Sequence, residues 1–211
     1  MNTPTPTRTN LVQRPHSGRL RAMVLLAALG AAPAWAIDAA QVPDAKRSAS
    51  GLHLTAIEAA ALKKANPSKV LVIDIRSRAE AMYVGMATAV DHLVPFLDFP
   101  EFWEWSDERG EYLQQSNPHF VADVEKRLAQ AGLTKNDPVV VMCRSGVRSN
   151  SAAGLLAQYG FKQAYTVIDG FEGDTAKDGP QKGQRVVNGW KNAPLPWGYK
   201  LDKTKMYLDP L

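Results

Sequence analysis

Apolar residues along the chain fall into short, nearly continuous runs separated by stretches of helical spacing. Lys69-Val70-Leu71-Val72-Ile73-Asp74 and Val139-Val140-Val141-Met142 place apolar residues at consecutive positions, which predicts strands covered on both faces. Ala164-Tyr165-Thr166-Val167-Ile168 reads as a further strand turned by Asp169-Gly170, and another is expected near His92-Leu93-Val94. Thr55-Ala56-Ile57-Glu58 has the capping-box pattern ahead of Ala59 to Lys64, so a helix runs to about Asn66-Pro67. A short helix is expected from Arg78 to Met82. Asn117-Pro118 offers a cap and a first-turn proline for a helix in which Phe120, Val121, Val124, Leu128 and Leu133 keep rough helical spacing. A last helix carries Ala152, Ala153, Leu155, Leu156 and Tyr159 and is closed by Gly160. This alternation of strand and helix predicts an α/β fold with a mainly parallel sheet.

Aromatic and acidic residues gather between Phe96 and Tyr112, where Phe99, Phe102, Trp103 and Trp105 lie close together. Leaving so many rings in water is unfavourable, so the stretch is expected to be an ordered insertion in which Trp103 and Trp105 pack a local mini-core. Trp190 and Trp197, through Tyr199 and Tyr207, are expected to anchor a C-terminal tail, residues 201–211, onto the domain. Asp178 to Gln184 is polar and glycine-bearing and reads as a surface loop.

Charge changes the picture only once the N-terminal segment is set aside. The 211 residues contain 25 Lys+Arg against 21 Asp+Glu, a net charge of +4. Arg8, Arg14, Arg19 and Arg21 are the only charged residues in 1–36, so the remainder holds 21 of each sign. A neutral globular part lacks the electrostatic footprint of nucleic-acid binding, and no nucleic-acid partner is expected. The arginine-bearing start, the apolar run Met23 to Leu29, and then Gly30, Pro33 and Ala34-Trp35-Ala36 form the pattern of a secretory signal peptide cut after Ala36. The uncharged run Ala22 to Ile37 is interrupted by Gly30 and Pro33 and is shorter than the roughly 18–20 residues of a membrane span. An exported protein, periplasmic or secreted and without a stable membrane span, is therefore expected, with residues 37–48 leading into the folded domain.

Cys143 is the one cysteine. It forms no intrachain disulfide and no cysteine-rich metal site, and His53, His92 and His119 are scattered without ligand spacing, so neither a metal nor another cofactor is expected. Cys143 follows a buried strand and opens the loop Cys143-Arg144-Ser145-Gly146-Val147-Arg148-Ser149, which leads into a helix. In open α/β sheets reactive sites form at the carboxyl ends of strands. A loop with Gly146 can curl so that backbone N–H groups converge at the positive end of the helix, where a sulfur is stabilised as thiolate. Arg144 and Arg148 add positive field and attract an anionic substrate, with Arg148 the better placed to face the sulfur. The residues thus predict a nucleophilic cysteine in an anion cradle. Cysteine-dependent phosphatases use Cys-x5-Arg to wrap a phosphoryl group. Here the arginine comes one position early, at Arg148, with Ser149 in its place. A Cys-x4-Arg loop suits one extra sulfur better, and neither Asp137 nor Asp169 stands in an obvious position to protonate a leaving alcohol. Phosphatase chemistry ranks behind.

Cys143-Arg144-Ser145-Gly146-Val147-Arg148 resembles the six-residue active loop of the rhodanese, or thiosulfate sulfurtransferase, family. Asp74-Ile75-Arg76 with Glu80 resembles that family's Asp-x-Arg-x-x-x-Glu segment, and Asp169-Gly170, followed at a distance by Gly189-Trp190 and Leu195-Pro196, resembles its C-terminal part. The resemblance implies a single rhodanese-like domain over residues 49–200, an open parallel sheet flanked by helices on both faces, with insertions near 96–116 and 172–188. It implies a Cys143 persulfide intermediate, Arg144, Ser145, Gly146, Val147 and Arg148 as the substrate- and persulfide-binding loop, and Asp74, Arg76 and Ser149 as support. The arginine-bearing loop resembles thiosulfate-using members more than mercaptopyruvate-using ones, whose loop is usually Cys-Gly-(Ser/Thr)-Gly-Val-Thr. The chain departs from the family at Gly85-Met86-Ala87-Thr88-Ala89, where Gly-His-Ile and then Gly-Ala are usual, and at the two insertions. The expected activity is transfer of sulfane sulfur from a small sulfur-containing anion such as thiosulfate to an acceptor thiol, an acceptor protein or cyanide. The alternative is a sulfur-carrier or partner-binding module that docks a protein through the insertions and does not turn over small donors.

Overall fold

The computed structural model describes residues 1–3 and 37–210. The expected signal peptide and its cleavage point lie outside the described residues. Among the described residues eleven strands and four α-helices follow one another as β1 His53–Leu54, α1 Ala56–Ala65, β2 Leu71–Asp74, α2 Arg78–Val84, β3 Met86–Ala87, β4 His92–Leu93, β5 Leu97–Asp98, β6 Trp105–Ser106, β7 Glu111–Tyr112, β8 Gln115–Ser116, α3 Phe120–Gln130, β9 Val139–Met142, α4 Val147–Gln158, β10 Ala164–Val167 and β11 Trp197–Gly198.

Five strands form one parallel sheet in the order β1-β10-β9-β2-β4. Its centre is in register along its length, Leu71 opposite Val139 and Asp74 opposite Met142, with Val141 opposite Thr166 on the other side. Every residue of β2, β9 and β10 is buried, which requires cover on both faces and explains why these segments read as unbroken apolar runs. α1 and α2 each begin with a full capping box, Thr55 with Glu58 and Ser77 with Glu80, so their first-turn N–H groups are satisfied by side chains. α3 starts later than its predicted cap. Asn117 accepts from the His119 N–H at 2.9 Å and donates to the Pro95 carbonyl at 3.0 Å, so Asn117 and Pro118 form the turn before the helix and His119 stands at its N-cap.

The insertion between β4 and α3 is ordered as two nested antiparallel ribbons, β5 with β8 and β6 with β7. Its base is pinned to α2 by Arg78, whose Nε donates to the buried Asp98 carboxylate at 2.7 Å. The expected mini-core of Trp103 and Trp105 is instead a surface ladder. Phe99 stacks on Trp103, and Tyr112 meets both tryptophans edge-on, yet both tryptophans stay about half exposed. A two-stranded ribbon has no second layer to bury them against.

The flanking segments are hydrogen-bonded onto the sheet domain. Lys46 pairs with Asp174 at 2.6 Å. In the tail, Tyr207 is buried and its hydroxyl donates to Asp123 of α3 at 2.7 Å, while Lys205 donates to the Val90 carbonyl beside β4. Tyr207 is the anchor of the tail. Trp190 is buried and its Nε1 donates to the Pro196 carbonyl at 3.1 Å, whereas Tyr199 is largely exposed.

At the carboxyl end of β2 lies a fully buried ion pair. Arg76 Nη2 donates to Asp74 at 2.6 Å and to the Gly85 carbonyl at 2.7 Å, and its guanidinium lies 4.1 Å over the Phe171 ring. Removing one member of such a pair leaves a bare buried charge. Asp74→Asn is expected to destabilise the protein by about 3–5 kcal/mol, read as a lower urea midpoint at unchanged slope. A loss of less than about 1 kcal/mol would mean that the pair does not hold this strand end.

Candidate active site

Cys143 is the first residue after β9, and its side chain is only 1% exposed. Gly146, four residues into the loop, adopts φ +95° and is the N-cap of α4. A Cβ there would lie 2.0 Å from the Ile168 carbonyl oxygen, so the position has neither the space nor the backbone conformation for any other residue. This turn aims the loop at its own first residue. The Gly146 N–H donates to Cys143 Sγ at 3.2 Å and the Ser149 N–H at 3.4 Å. Ser149 Oγ lies 3.5 Å from the sulfur and accepts from the Thr166 hydroxyl at 2.9 Å. The first-turn N–H groups of Val147 and Arg148 have no helical acceptor, so the sulfur sits at the unsatisfied, positive end of α4.

The loop is backed by the segment after β10. Phe171 N–H donates to the Cys143 carbonyl at 2.8 Å, and the Glu172 and Gly173 N–H groups both donate to the Arg144 carbonyl. Gly170, at φ +63°, passes so close that a Cβ would lie 2.5 Å from the Ser145 nitrogen. The loop is therefore a rigid cradle made almost entirely of backbone.

The two loop arginines play different parts. Arg148 makes a two-pronged pair with Glu80 at 2.7 and 2.5 Å, which ties the start of α4 to α2 and holds the guanidinium against that carboxylate. Burial would raise the Glu80 carboxyl, but the Arg148 bonds and charge, with the Ser77 N–H, outweigh it and hold the carboxyl at about 2. The same pair keeps Arg148 charged despite its burial. Arg144 is exposed and has no carboxylate partner among the described residues.

Cys143, Arg144, Ser145, Val147 and Arg148 all face one cavity of about 550 Å³. Gly146 and Ser149 are buried within the loop, and Asp74 and Arg76 lie buried at the neighbouring strand end. Besides Glu80, much of the remaining wall comes from residues the sequence did not mark as functional, among them Phe99, Arg109, Glu111 and Tyr112 of the first insertion and Arg185 of the second. Only the unusual number of aromatics in the first insertion hinted at them. Asp137 caps a turn at Thr134, and Asp169 accepts from the Ala56 and Gly189 N–H groups, so neither acid serves the sulfur. Among the described residues no group of three or more His, Cys, Asp or Glu side chains comes together as a metal ligand set, and no helix is long and apolar enough to cross a membrane.

The Glu80 pair carries a pH signature. A carboxyl held at about 2 in the folded chain and near 4.5 when unfolded contributes stability that is fully present above about pH 5 and is lost as the pH falls towards 2. Glu80→Gln is expected to be about 3 kcal/mol less stable than the wild type at pH 7, with the difference shrinking below pH ~4 in urea titrations run across pH. An undiminished gap at pH 3 would show that the carboxylate charge is not what the site uses.

Comparison with known proteins agrees with this architecture. The crystal structure of Rv0390 from M. tuberculosis superposes with a TM-score of 0.53 at 27% identity, covering 70% of this chain and 97% of that one. Thiosulfate sulfurtransferase GlpE of Actinobacillus succinogenes is 50% identical over 36 residues, 17% of this chain and 32% of that enzyme. The uncharacterized protein RP600 of Rickettsia prowazekii is 38% identical over 61 residues, 29% of this chain and 42% of the relative. The chain thus spans less than half the length of these two curated relatives. The Rhodanese-like domain family is matched over residues 55–177, a stretch that runs from the cap of α1 through the cysteine loop to the strand and turn that back it, and the chain belongs to that family.

Proposed function

We propose that the protein is a sulfurtransferase that moves sulfane sulfur from a donor such as thiosulfate, through a persulfide on Cys143, to a thiol or cyanide acceptor. The observation that carries this reading is the cradle itself: a buried sulfur at the N-terminus of α4, receiving two backbone N–H groups from a loop too tight for anything but glycine at Gly146. Membership of the rhodanese-like family and the local identity to a thiosulfate sulfurtransferase support it.

In the first half-reaction the Cys143 thiolate attacks the outer sulfur of thiosulfate. A bond forms between Sγ and that sulfur, the sulfur–sulfur bond of the donor breaks, and its electron pair leaves with sulfite. Arg144, exposed at the cavity and without a carboxylate partner among the described residues, draws the dianionic donor in. The N–H groups of the loop then stabilise the terminal sulfur of the persulfide, which carries the negative charge. Arg148, held by Glu80, fixes the loop against α2, and Ser149 supports the sulfur from below. No cofactor enters the scheme. The leader-like sequence of residues 1–36 supports a location in the periplasm or the exterior. Protein recovered from the periplasm should begin near Ile37, and recovery with an intact Met1 would remove that assignment.

Reduced protein incubated with thiosulfate should gain the mass of one sulfur atom, and Cys143→Ser should gain none. If neither thiosulfate nor polysulfide loads a thiol that still reacts with an alkylating reagent, the sulfurtransferase reading fails. A protein that loads once but does not turn over with small acceptors would be a carrier.

A further inference from the structure

Thiosulfate has only a handful of heavy atoms, whereas the cavity over Cys143 measures about 550 Å³, within the roughly 300–1,000 Å³ of cavities that hold drug-sized ligands. The extra room is enclosed by the two insertions, and its walls have a definite chemistry. Phe99 and Tyr112 provide ring surface, and both are fixed by contact with Trp103. Arg109, Arg144 and Arg185 provide three guanidinium groups, none of which has a carboxylate partner among the described residues. Glu111 is the one lining carboxylate besides Glu80, which Arg148 neutralises.

Arg185 is held in place. Its Nη1 donates to the Gly173 carbonyl at 2.7 Å, the Gly173 N–H in turn donates to the Arg144 carbonyl, and its backbone is bridged to Thr175. A guanidinium tethered this way to the back of the active loop is positioned before any ligand arrives, which lowers the entropy lost on binding.

Resting on the sulfurtransferase reading above, we propose that the acceptor is a low-molecular-weight thiol carrying at least two carboxylates, bound in this cavity with its carboxylates on Arg109 and Arg185 and its carbon skeleton against Phe99 and Tyr112. The site takes donor and acceptor in turn. Once sulfite has left, the acceptor thiolate attacks the terminal sulfur of the Cys143 persulfide. A new sulfur–sulfur bond forms on the acceptor, the bond to Sγ breaks, and Sγ leaves with its electron pair as the regenerated thiolate. The product is the acceptor's hydropersulfide. No electron is gained or lost overall, so no outside oxidant or reductant is required.

The test is a single-turnover experiment on the loaded protein. Loading is first established by intact mass, and sulfur loss is then timed with mercaptosuccinate, a dicarboxylate thiol, and with 2-mercaptoethanol, a neutral one. The ratio of the two rates is compared between the wild type and Arg109→Gln/Arg185→Gln, which cancels the intrinsic reactivity of each thiol. Loss of the two charge-assisted contacts is expected to lower the ratio at least about tenfold. In the wild type, added salt should slow mercaptosuccinate and leave 2-mercaptoethanol unchanged, a readout that stands even if the double variant does not fold. A ratio that is the same in both proteins, or no salt effect specific to the dicarboxylate, overturns the proposal. Failure to load at all overturns the sulfurtransferase reading instead, so the two are told apart at the first step.

Discussion

At Gly146 the chain turns from β9 into α4 through a space that admits a hydrogen atom and nothing larger. The Ile168 carbonyl stands where any side chain would begin, and that carbonyl belongs to the residue after β10, the strand paired with β9. The shape of the loop is thus dictated by the sheet. Because the loop cannot relax outward, its N–H groups stay aimed at the sulfur whether or not a ligand is present. Preorganised dipoles of this kind need no reorganisation as charge develops.

Around this turn the structure arranges its buried charges in compensating pairs, each of which joins two elements. Asp74 and Arg76 close the end of β2 and, through the Gly85 carbonyl and the Phe171 ring, reach the end of α2 and the segment behind the loop. Glu80 and Arg148 join α2 to α4. Buried pairs of this sort contribute little net stability compared with apolar packing, but losing one partner is severe. Their effect is to define a single geometry. A loop arginine held on Glu80 leaves Arg144 exposed and without a carboxylate partner among the described residues, so the charge that fixes the loop and the charge that faces solvent belong to different residues.

Much of this was legible along the chain. β9 runs over the same four residues as its apolar run because Asp137-Pro138 and the loop bound it on either side. The cysteine loop announced itself through its arginines and glycine. Other features left no local trace. β1 is two residues long, too short for a periodicity. Met86-Ala87, within the segment read as a departure from the family pattern, forms β3 and pairs with β11 more than a hundred residues later. Glu80 and Arg148 are 68 positions apart, and nothing near either one names the other. The Asn117-Pro118 cap went astray because an asparagine side chain can serve a turn as readily as a helix start. The cavity-facing residues of the insertions were hidden because a short ribbon alternates sides, and pattern alone does not say which side meets the cysteine.

The strap formed by Lys205 and Tyr207 has a bearing on how the molecule is built. β4 is one of the two edge strands of the sheet, and the Lys205 ammonium reaches the Val90 carbonyl beside it from 115 positions downstream, while Tyr207 fastens the strap to α3. Closing so long a loop is entropically unfavourable until the sheet exists, so this contact forms late. Until then the rim of the sheet offers unpaired peptide groups to any similar chain nearby. Once closed, the tail lies against this strand and leaves less of that rim open to another chain.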